Sequence, residues 1–231
     1  MISIFTLNLW RYYDFDSRLP NIVKAIKETQ PDVVCLQEVQ INPAISPLSQ
    51  VEIIKKQLSE YKYSIHSTTY QKDSQQGKKL DTSVQHGMAV LSKYPILNAF
   101  EFFVTLNEGE AEPRSMLCFD AEIHSMVFKF ANVHFANREE WAKNQLQEFL
   151  DLICSRGEKR IIAGDFNMFK LPQYGMLQGY KLSYDYKAYD SYPKDGGCLD
   201  YVAIPDEFEF SKVELLEDYL SDHKGLLVAI R

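Results

Sequence analysis

The sequence predicts an α/β protein in which β-sheets stack face to face and carry helices on their outer sides. Three observations predict it. Apolar runs of strand length recur along nearly the whole chain, only a few segments carry helical spacing, and long polar stretches separate them. No shift of composition marks a linker, so residues 1–231 are read as one domain.

Residues 2–9 form a strand with the polar Asn8 at its end. Leu19, Ile22, Val23 and Ile26 predict a helix over residues 18–29, and Pro31 ends it because a proline ring cannot continue the ladder. DVVCLQEV is the second strand, with Glu38 at its C-terminal end. Leu48, Val51, Ile54 and Leu58 predict a helix over residues 48–59, followed by a strand over 61–67. Residues 68–85 are polar and read as a long surface loop, in which Lys72, Lys78 and Lys79 either touch a polyanion or keep the loop soluble. GMAVLS is a strand, Tyr94-Pro95 a break, NAFEFFV a further strand and residues 105–113 a second polar loop. SMLCFDAEI and MVFKFANVHF alternate apolar and polar residues, which predicts a hairpin around His124-Ser125. Residues 139–154 carry the clearest amphipathic helix, with Trp141 assigned to packing. RIIAGDFN runs from strand into loop, and LDYVAIP and LLVAIR are the last strands.

Bulk properties exclude several classes. No apolar stretch reaches the ~18 residues of a membrane span, and the N-terminus carries no signal-peptide pattern, so the expected compartment is the cytoplasm, although a chain trimmed after a leader would read the same. Cys35, Cys118, Cys154 and Cys198 form no C-x-x-C pair, which argues against a zinc site or a disulfide framework. A thiol-dependent hydrolase would need one of them beside a histidine. The net charge of −7 counts against a protein that coats nucleic acid, but not against an enzyme whose bound cation offsets local charge. No protein partner is expected.

The informative residues are polar groups at the ends of apolar runs. Asn8, Glu38 and His134 end strands, Asp165 and Asn167 follow RIIAG, Asp200 opens a strand and Asp222-His223 precede the last one. Strands that share a sheet bring such residues to one rim, where sites commonly lie. Carboxylate and amide oxygens are hard ligands suited to Mg²⁺ or Mn²⁺ rather than zinc. Histidines supply proton transfer near neutral pH. Gly-rich phosphate loops, G-x-S-x-G and H-E-x-x-H are all absent from the sequence.

TLNLW, CLQEV, ANVHF, IIAGDFN, LDYVAI and LSDHKGLL, in this order from residue 6 to about 228, resemble the endonuclease/exonuclease/phosphatase superfamily, with its deoxyribonuclease-I-like fold. GMAVLSKYPI resembles a further strand of that family. The resemblance implies a four-layer α/β sandwich, two packed mixed β-sheets flanked by helices. It implies that Glu38 binds Mg²⁺ (or Mn²⁺) directly and that Asn8 and Asp222 hold the metal or its waters. Asp165 and Asn167 would position the attacking water and the phosphoryl oxygens. His223, oriented by Asp200, would be the acid/base or phosphate-contacting histidine, and His134 would contact phosphate or protonate the leaving oxygen. The identity of the base stays open. Two places depart from the family pattern. Trp10 stands where some nucleases carry an acid, and His86 stands near the place where some secreted members put a glutamate.

Arg114 and His86 are candidate substrate-binding residues, with a surface salt bridge and a structural role as their respective alternatives. His66 and His124 are read as surface or loop residues. Trp10, Tyr12 and Tyr13 either join the core or stack on a planar group of the substrate. The expected substrate is a phosphate ester, with a nucleic-acid phosphodiester slightly ahead of a phospholipid such as sphingomyelin or a small nucleotide. An inositol-phosphate-type phosphatase is the alternative within the family. A non-catalytic binding module on the same scaffold is the alternative of another class.

Overall fold

The computed structural model describes residues 1–69 and 84–231 in full, and between them only the backbone of residues 70, 71, 74, 75, 78 and 79. The chain runs β1 (Ile2–Asn8), α1 (Phe15–Thr29), β2 (Val33–Ile41), α2 (Gln50–Lys55), β3 (Tyr63–Gln71), β4 (Ser74–Gln75), β5 (Lys78–Lys79), β6 (Gln85–Ser92) and β7 (Ile96–Phe103). It continues with β8 (Ser115–Ile123), β9 (Met126–His134), α3 (Glu139–Ser155), β10 (Ile161–Asp165), α4 (Leu171–Tyr174), β11 (Tyr180–Leu182), α5 (Ser183–Tyr186), β12 (Asp200–Pro205), β13 (Phe210–Leu216) and β14 (Gly225–Ile230).

Two six-stranded sheets form, in the orders β13-β14-β1-β2-β6-β3 and β11-β12-β10-β9-β8-β7. Each is mixed, with one parallel pair, β1 with β2 in the first and β9 with β10 in the second. The sheets pack face to face through Ile4, Cys35, Val90, Phe119, Ala163 and Val228. The opposite face of the first sheet carries Phe5, Leu7 and Leu36 against Ile22 and Ile26 of α1 and Val51 and Ile54 of α2. The opposite face of the second carries Ala131 and Tyr201 against Leu146, Phe149 and Ile153 of α3. The fold is therefore the expected four-layer α/β sandwich. Strands buried on both faces lose the apolar–polar alternation, which is why VVCL, IIA and LLVAI read as continuous apolar runs.

Asn132 of β9 crosses the gap between the sheets. Its amide donates to the carbonyls of Leu36 and Ala89, both at 3.0 Å, and its oxygen accepts from Nε2 of Gln37 at 2.7 Å. A fully bonded buried amide fixes one relative placement of two otherwise apolar faces. It thereby seats the end of β2 against the end of β9.

The structure departs from the expected elements in several places. The first helix begins at Phe15, and α2 covers only Gln50–Lys55, its start set by a Ser49/Glu52 capping box. Residues 68–85 are not a single loop, since β3 reaches Gln71, β6 starts at Gln85 and the short β4 and β5 pair between them. Lys72 and the side chains of Lys78 and Lys79 lie outside the described residues. β13 was not foreseen, because this edge strand exposes Lys212 and carries a bulge between Phe210 and Lys212 that breaks the period of two. The short β11, α4 and α5 were also not foreseen. The His124-Ser125 hairpin forms as expected, with φ of 51° and 63° as a type I′ turn requires.

Gly164, inside the GDFN motif, has φ 148°, and a Cβ there would overlap the backbone carbonyl of Val133 on the neighbouring strand. Gly164→Ala is expected to destabilise the fold by about 3 kcal/mol or more, since both strain and overlap fall on backbone. At about 2–4 °C per kcal/mol for a chain of this size, its melting midpoint should lie roughly 10 °C below the wild type. A calorimetric shift under 2 °C would show that the strand pair can yield.

Candidate active site

The parallel pairs send the C-terminal ends of β1, β2, β9 and β10 to one edge of the sandwich. The antiparallel β12 and β14 begin at the same edge. In the ladders, Asp165 stands opposite His134 on one side and Asp200 on the other. Asn8, Glu38, His134, Asp165, Asn167, Asp222, His223 and Arg114 therefore meet around one cleft of about 880 Å³.

Asp165 forms its floor and is 1% exposed. Its Oδ2 accepts from Nδ2 of Asn8 at 3.0 Å and its Oδ1 from the backbone N–H of Asn167 at 2.9 Å. Nε2 of His134 lies 3.6 Å from Asp165 and Nε2 of His223 lies 3.9 Å from it. Nδ1 of His223 is 2.8 Å from Oδ2 of Asp200, which is fully buried behind it and does not line the cleft. A bulge in the β2–β6 ladder between Leu36 and Val39 leaves Glu38 at φ 50°. Its carboxylate then stands 4.0 Å from Nε2 of His134 and 3.5 Å from Nε of Arg11. Trp10, Arg11 and Asn167 share this left-handed backbone, with φ of 52°, 51° and 53°. Non-glycine residues held there cost about 1–3 kcal/mol each and concentrate at functional sites. Asn167 is secured by donating its amide to the carbonyl of Phe135 at 2.9 Å.

Protonation divides the site. Burial, then the Arg114 guanidinium, holds His134 well below the ordinary histidine range, so it is neutral. Nη1 of Arg114 is 3.3 Å from both its ring nitrogens. Burial opposes charge on His223, but the Asp200 carboxylate and its hydrogen bond outweigh that and raise its pKa to about 10. Burial raises Asp165 to about 7, against the opposing charge of His223. Glu38, Asp165 and Asp222 offer hard oxygen donors to the cleft, a set that suits Mg²⁺ or Mn²⁺. Ligand atoms of Asp165, Asp200 and His223 also lie within 4.8 Å of one another.

Some placements differ from expectation. His86 lies outside the main cleft, buried on β6 in a small neighbouring pocket that also touches Glu38, Arg114 and His134. Trp141, assigned to packing, lines the cleft instead, because it sits in the first turn of α3 at the mouth, with Arg138 4.3 Å above its ring. Trp10 and Tyr13 also line the cleft, with ring centroids 4.0 Å apart, whereas Tyr12 packs on the core and donates to the carbonyl of Leu48. Arg11, Glu112 and Tyr192 were not anticipated. Arg11 and Arg114 share Oε2 of Glu112 at 3.9 and 3.6 Å, and the Tyr192 ring lies 4.8 Å from that of His223. His66 and His124 are exposed, as expected. Cys35, Cys118 and Cys198 are buried and burial raises their thiols, while Cys154 is exposed and away from the cleft. No described helix is long and apolar enough to cross a membrane.

Comparison with known proteins agrees with this fold. A model of the endonuclease/exonuclease/phosphatase family matches residues 5–223. The Escherichia coli protein YbhP, itself uncharacterized, is 28% identical over 174 residues, covering 71% of this chain and 66% of YbhP. The match therefore spans just under two thirds of that relative's length. An endonuclease/exonuclease/phosphatase from Beutenbergia cavernae has the same fold at a TM-score of 0.83 and 19% identity, over 100% of this chain and 71% of its own. A protein of the same family from Leptotrichia buccalis superposes at a TM-score of 0.79 and 18% identity over 100% of both chains. The ordered motifs, the sandwich and a family match over nearly the whole sequence lead to one assignment: the chain belongs to the endonuclease/exonuclease/phosphatase family.

Proposed function

We propose that the chain is a divalent-cation-dependent phosphoric ester hydrolase that cleaves a phosphodiester by in-line attack of water. The carrying observation is the cluster around Asp165, a buried carboxylate between a neutral His134 and a cationic His223 that Asp200 orients. Groups whose environments drive their pKa values apart divide the roles of acid and base. Asp165, aligned by Asn8 and Asn167, orients the attacking water and accepts its proton. His223 presents Nε2–H to a phosphoryl oxygen, and His134 with Arg114 faces the phosphate or the leaving oxygen. Glu38 would hold Mg²⁺ or Mn²⁺, supported by Asn8 and Asp222. The chemistry such a cation supplies is neutralisation of charge on the phosphoryl and leaving oxygens.

The cleft favours a diester because its volume of about 880 Å³ leaves room for groups on both ester oxygens. Trp10, Tyr13, Trp141 and Tyr192 line it together with Arg11, Arg114 and Arg138. Aromatic rings beside cationic side chains suit bases on a phosphate backbone, which keeps nucleic acid slightly ahead of a phospholipid or a small nucleotide.

The test is hydrolysis of bis-p-nitrophenyl phosphate against p-nitrophenyl phosphate, with Mg²⁺, with Mn²⁺ and with EDTA. Diester cleavage that EDTA abolishes is expected, and cleavage of the monoester alone would move the reading to a phosphatase. Glu38→Ala should raise the Mg²⁺ concentration for half-maximal activity by about 10-fold or more, with a matching loss of Mn²⁺ affinity by calorimetry. Unchanged Mn²⁺ affinity would remove Glu38 from the cation site.

A further inference from the structure

Arg18 lies in the second turn of α1, inside a segment that reads as ordinary amphipathic helix, yet it is 0% exposed. None of its hydrogen-bond acceptors among the described residues is a carboxylate. Nε donates to the carbonyl of Tyr13 at 3.0 Å, and Nη2 donates to the same oxygen and to the carbonyl of Arg11 at 3.3 Å. Nη1 donates to the carbonyl of Leu220 at 2.8 Å. The guanidinium carbon also lies 5.8 Å from the Trp10 ring centroid. Leu220 precedes Asp222 by two positions and His223 by three. Asn21, one turn further along α1, donates to the carbonyl of Tyr219 at 3.2 Å, and Lys24 pairs with Asp218 at 3.4 Å.

We propose that Arg18 is a positioning residue of the active site, a clamp that fixes the loop after β1 against the loop before β14. The first loop carries Trp10, Arg11 and Tyr13, and the second carries Asp222 and His223, so the clamp sets the width of the cleft between them. Three points support it. A buried guanidinium that spends its hydrogen bonds on loop carbonyls, with Asp14 and Asp222 acting on it only through their charge, is a poor device for stability, since an apolar side chain of similar size serves as well or better. The planar fork of a guanidinium reaches several carbonyls in fixed directions, which a lysine ammonium does not. The loop it grips holds Trp10, Arg11 and Asp14 at φ of 52°, 51° and 47°, strain that persists only where the surroundings over-determine it. Gln50 adds a second hold by donating to the same Arg11 carbonyl at 2.6 Å.

The inference concerns geometry and rests on the hydrolase reading only for its kinetic arm. Backbone hydrogen exchange of the metal-free full chain tests it directly, in wild type and in Arg18→Met. Exchange is expected to accelerate by about tenfold or more at residues 10–14 and 218–223 together, with the central strands unchanged. In the diester assay kcat should fall by about 10–100-fold with KM within about threefold, as misplacement of catalytic groups by roughly 1 Å produces. Arg18→Lys should lie between the two proteins in both readouts. It carries the exchange test alone if Arg18→Met does not fold. Faster exchange in one loop only, in all strands alike or in neither loop would overturn the clamp. A wild type inactive on every ester would instead overturn the hydrolase reading and leave the exchange result to decide on Arg18.

Discussion

Asp165→Asn is expected to lower kcat on a phosphodiester by about three to four orders of magnitude while making the metal-free protein no less stable. The kinetic loss follows from the proposed role, since an amide accepts no proton from water at neutral pH and general base catalysis contributes up to about 10⁴-fold. The stability expectation follows from burial. The carboxylate is held at about 7, above the ordinary 3.8, because burial disfavours its charge. A folded state that binds its proton more tightly than the unfolded chain is favoured at low pH. That contribution is fully present below about pH 4 and is lost as the pH rises through about 7. At pH 8 the wild type therefore carries the whole cost of a buried carboxylate, which asparagine removes at nearly constant volume. Melting curves in EDTA should show Asp165→Asn equal to or above wild type at pH 8, with the difference shrinking towards pH 4. Turnover within about tenfold of wild type would remove Asp165 from the chemistry. A variant that melts well below wild type at pH 8 would show that the bonds from Asn8 and Asn167 matter more than the charge. Activity and stability moving in opposite directions is the signature of a site that tolerates an unfavourable group for function.

The fold was legible where burial imposes a simple pattern. β1, β2, β10, β12 and β14 are covered on both faces and stand out as apolar runs. Asn8, Glu38, His134 and Asp165 stand out because each interrupts such a run at its end. The illegible parts depend on distant chain. The β2 bulge that turns Glu38 into the cleft has no local signature in CLQEV, because it is a property of the pairing with β6. Arg18 looks like a solvent-facing helix residue until the loop at Leu220, some 200 positions away, closes over it. Trp141 fits a helical stripe, and only the position of α3 at the cleft mouth distinguishes lining from packing. β13 fails the strand pattern because an edge strand needs to bury only one face, and a bulge then shifts its period. Local pattern thus reports what a residue is buried by on its own element, whereas the shape of the cleft is set by contacts between elements.

Asp200→Asn is the second change with a large expected effect, and its signs differ from those of Asp165→Asn. Asp200 does not line the cleft; its carboxylate lies 2.8 Å from Nδ1 of His223, and its charge also raises the pKa of Asp165. Burial works against the imidazolium, and the Asp200 carboxylate overcomes it, with Asp165 and Asp222 adding to the effect, so His223 is held at about 10. Without that charge the pKa of His223 should fall by about 1–3 units, visible in an NMR titration of the imidazole in metal-free protein. Turnover should fall by about 10²–10⁴-fold, because the ring loses both its charge and its fixed tautomer. Stability should fall as well. The raised pKa of His223 contributes stability that is fully present below pH 6.5 and lost as the pH climbs through about 10. The wild-type melting midpoint should therefore decline between pH 7 and 10 more steeply than that of the variant. A second loss comes from Oδ1 of Asp200, which is buried with no hydrogen-bond partner among the described residues. If the new amide places its NH₂ there, a buried donor is left unpaired, at a cost of about 1–3 kcal/mol. An unchanged His223 titration in Asp200→Asn would show that the bond does not set the charge of the ring. The charge of His223 would then have to come from Asp165 and Asp222.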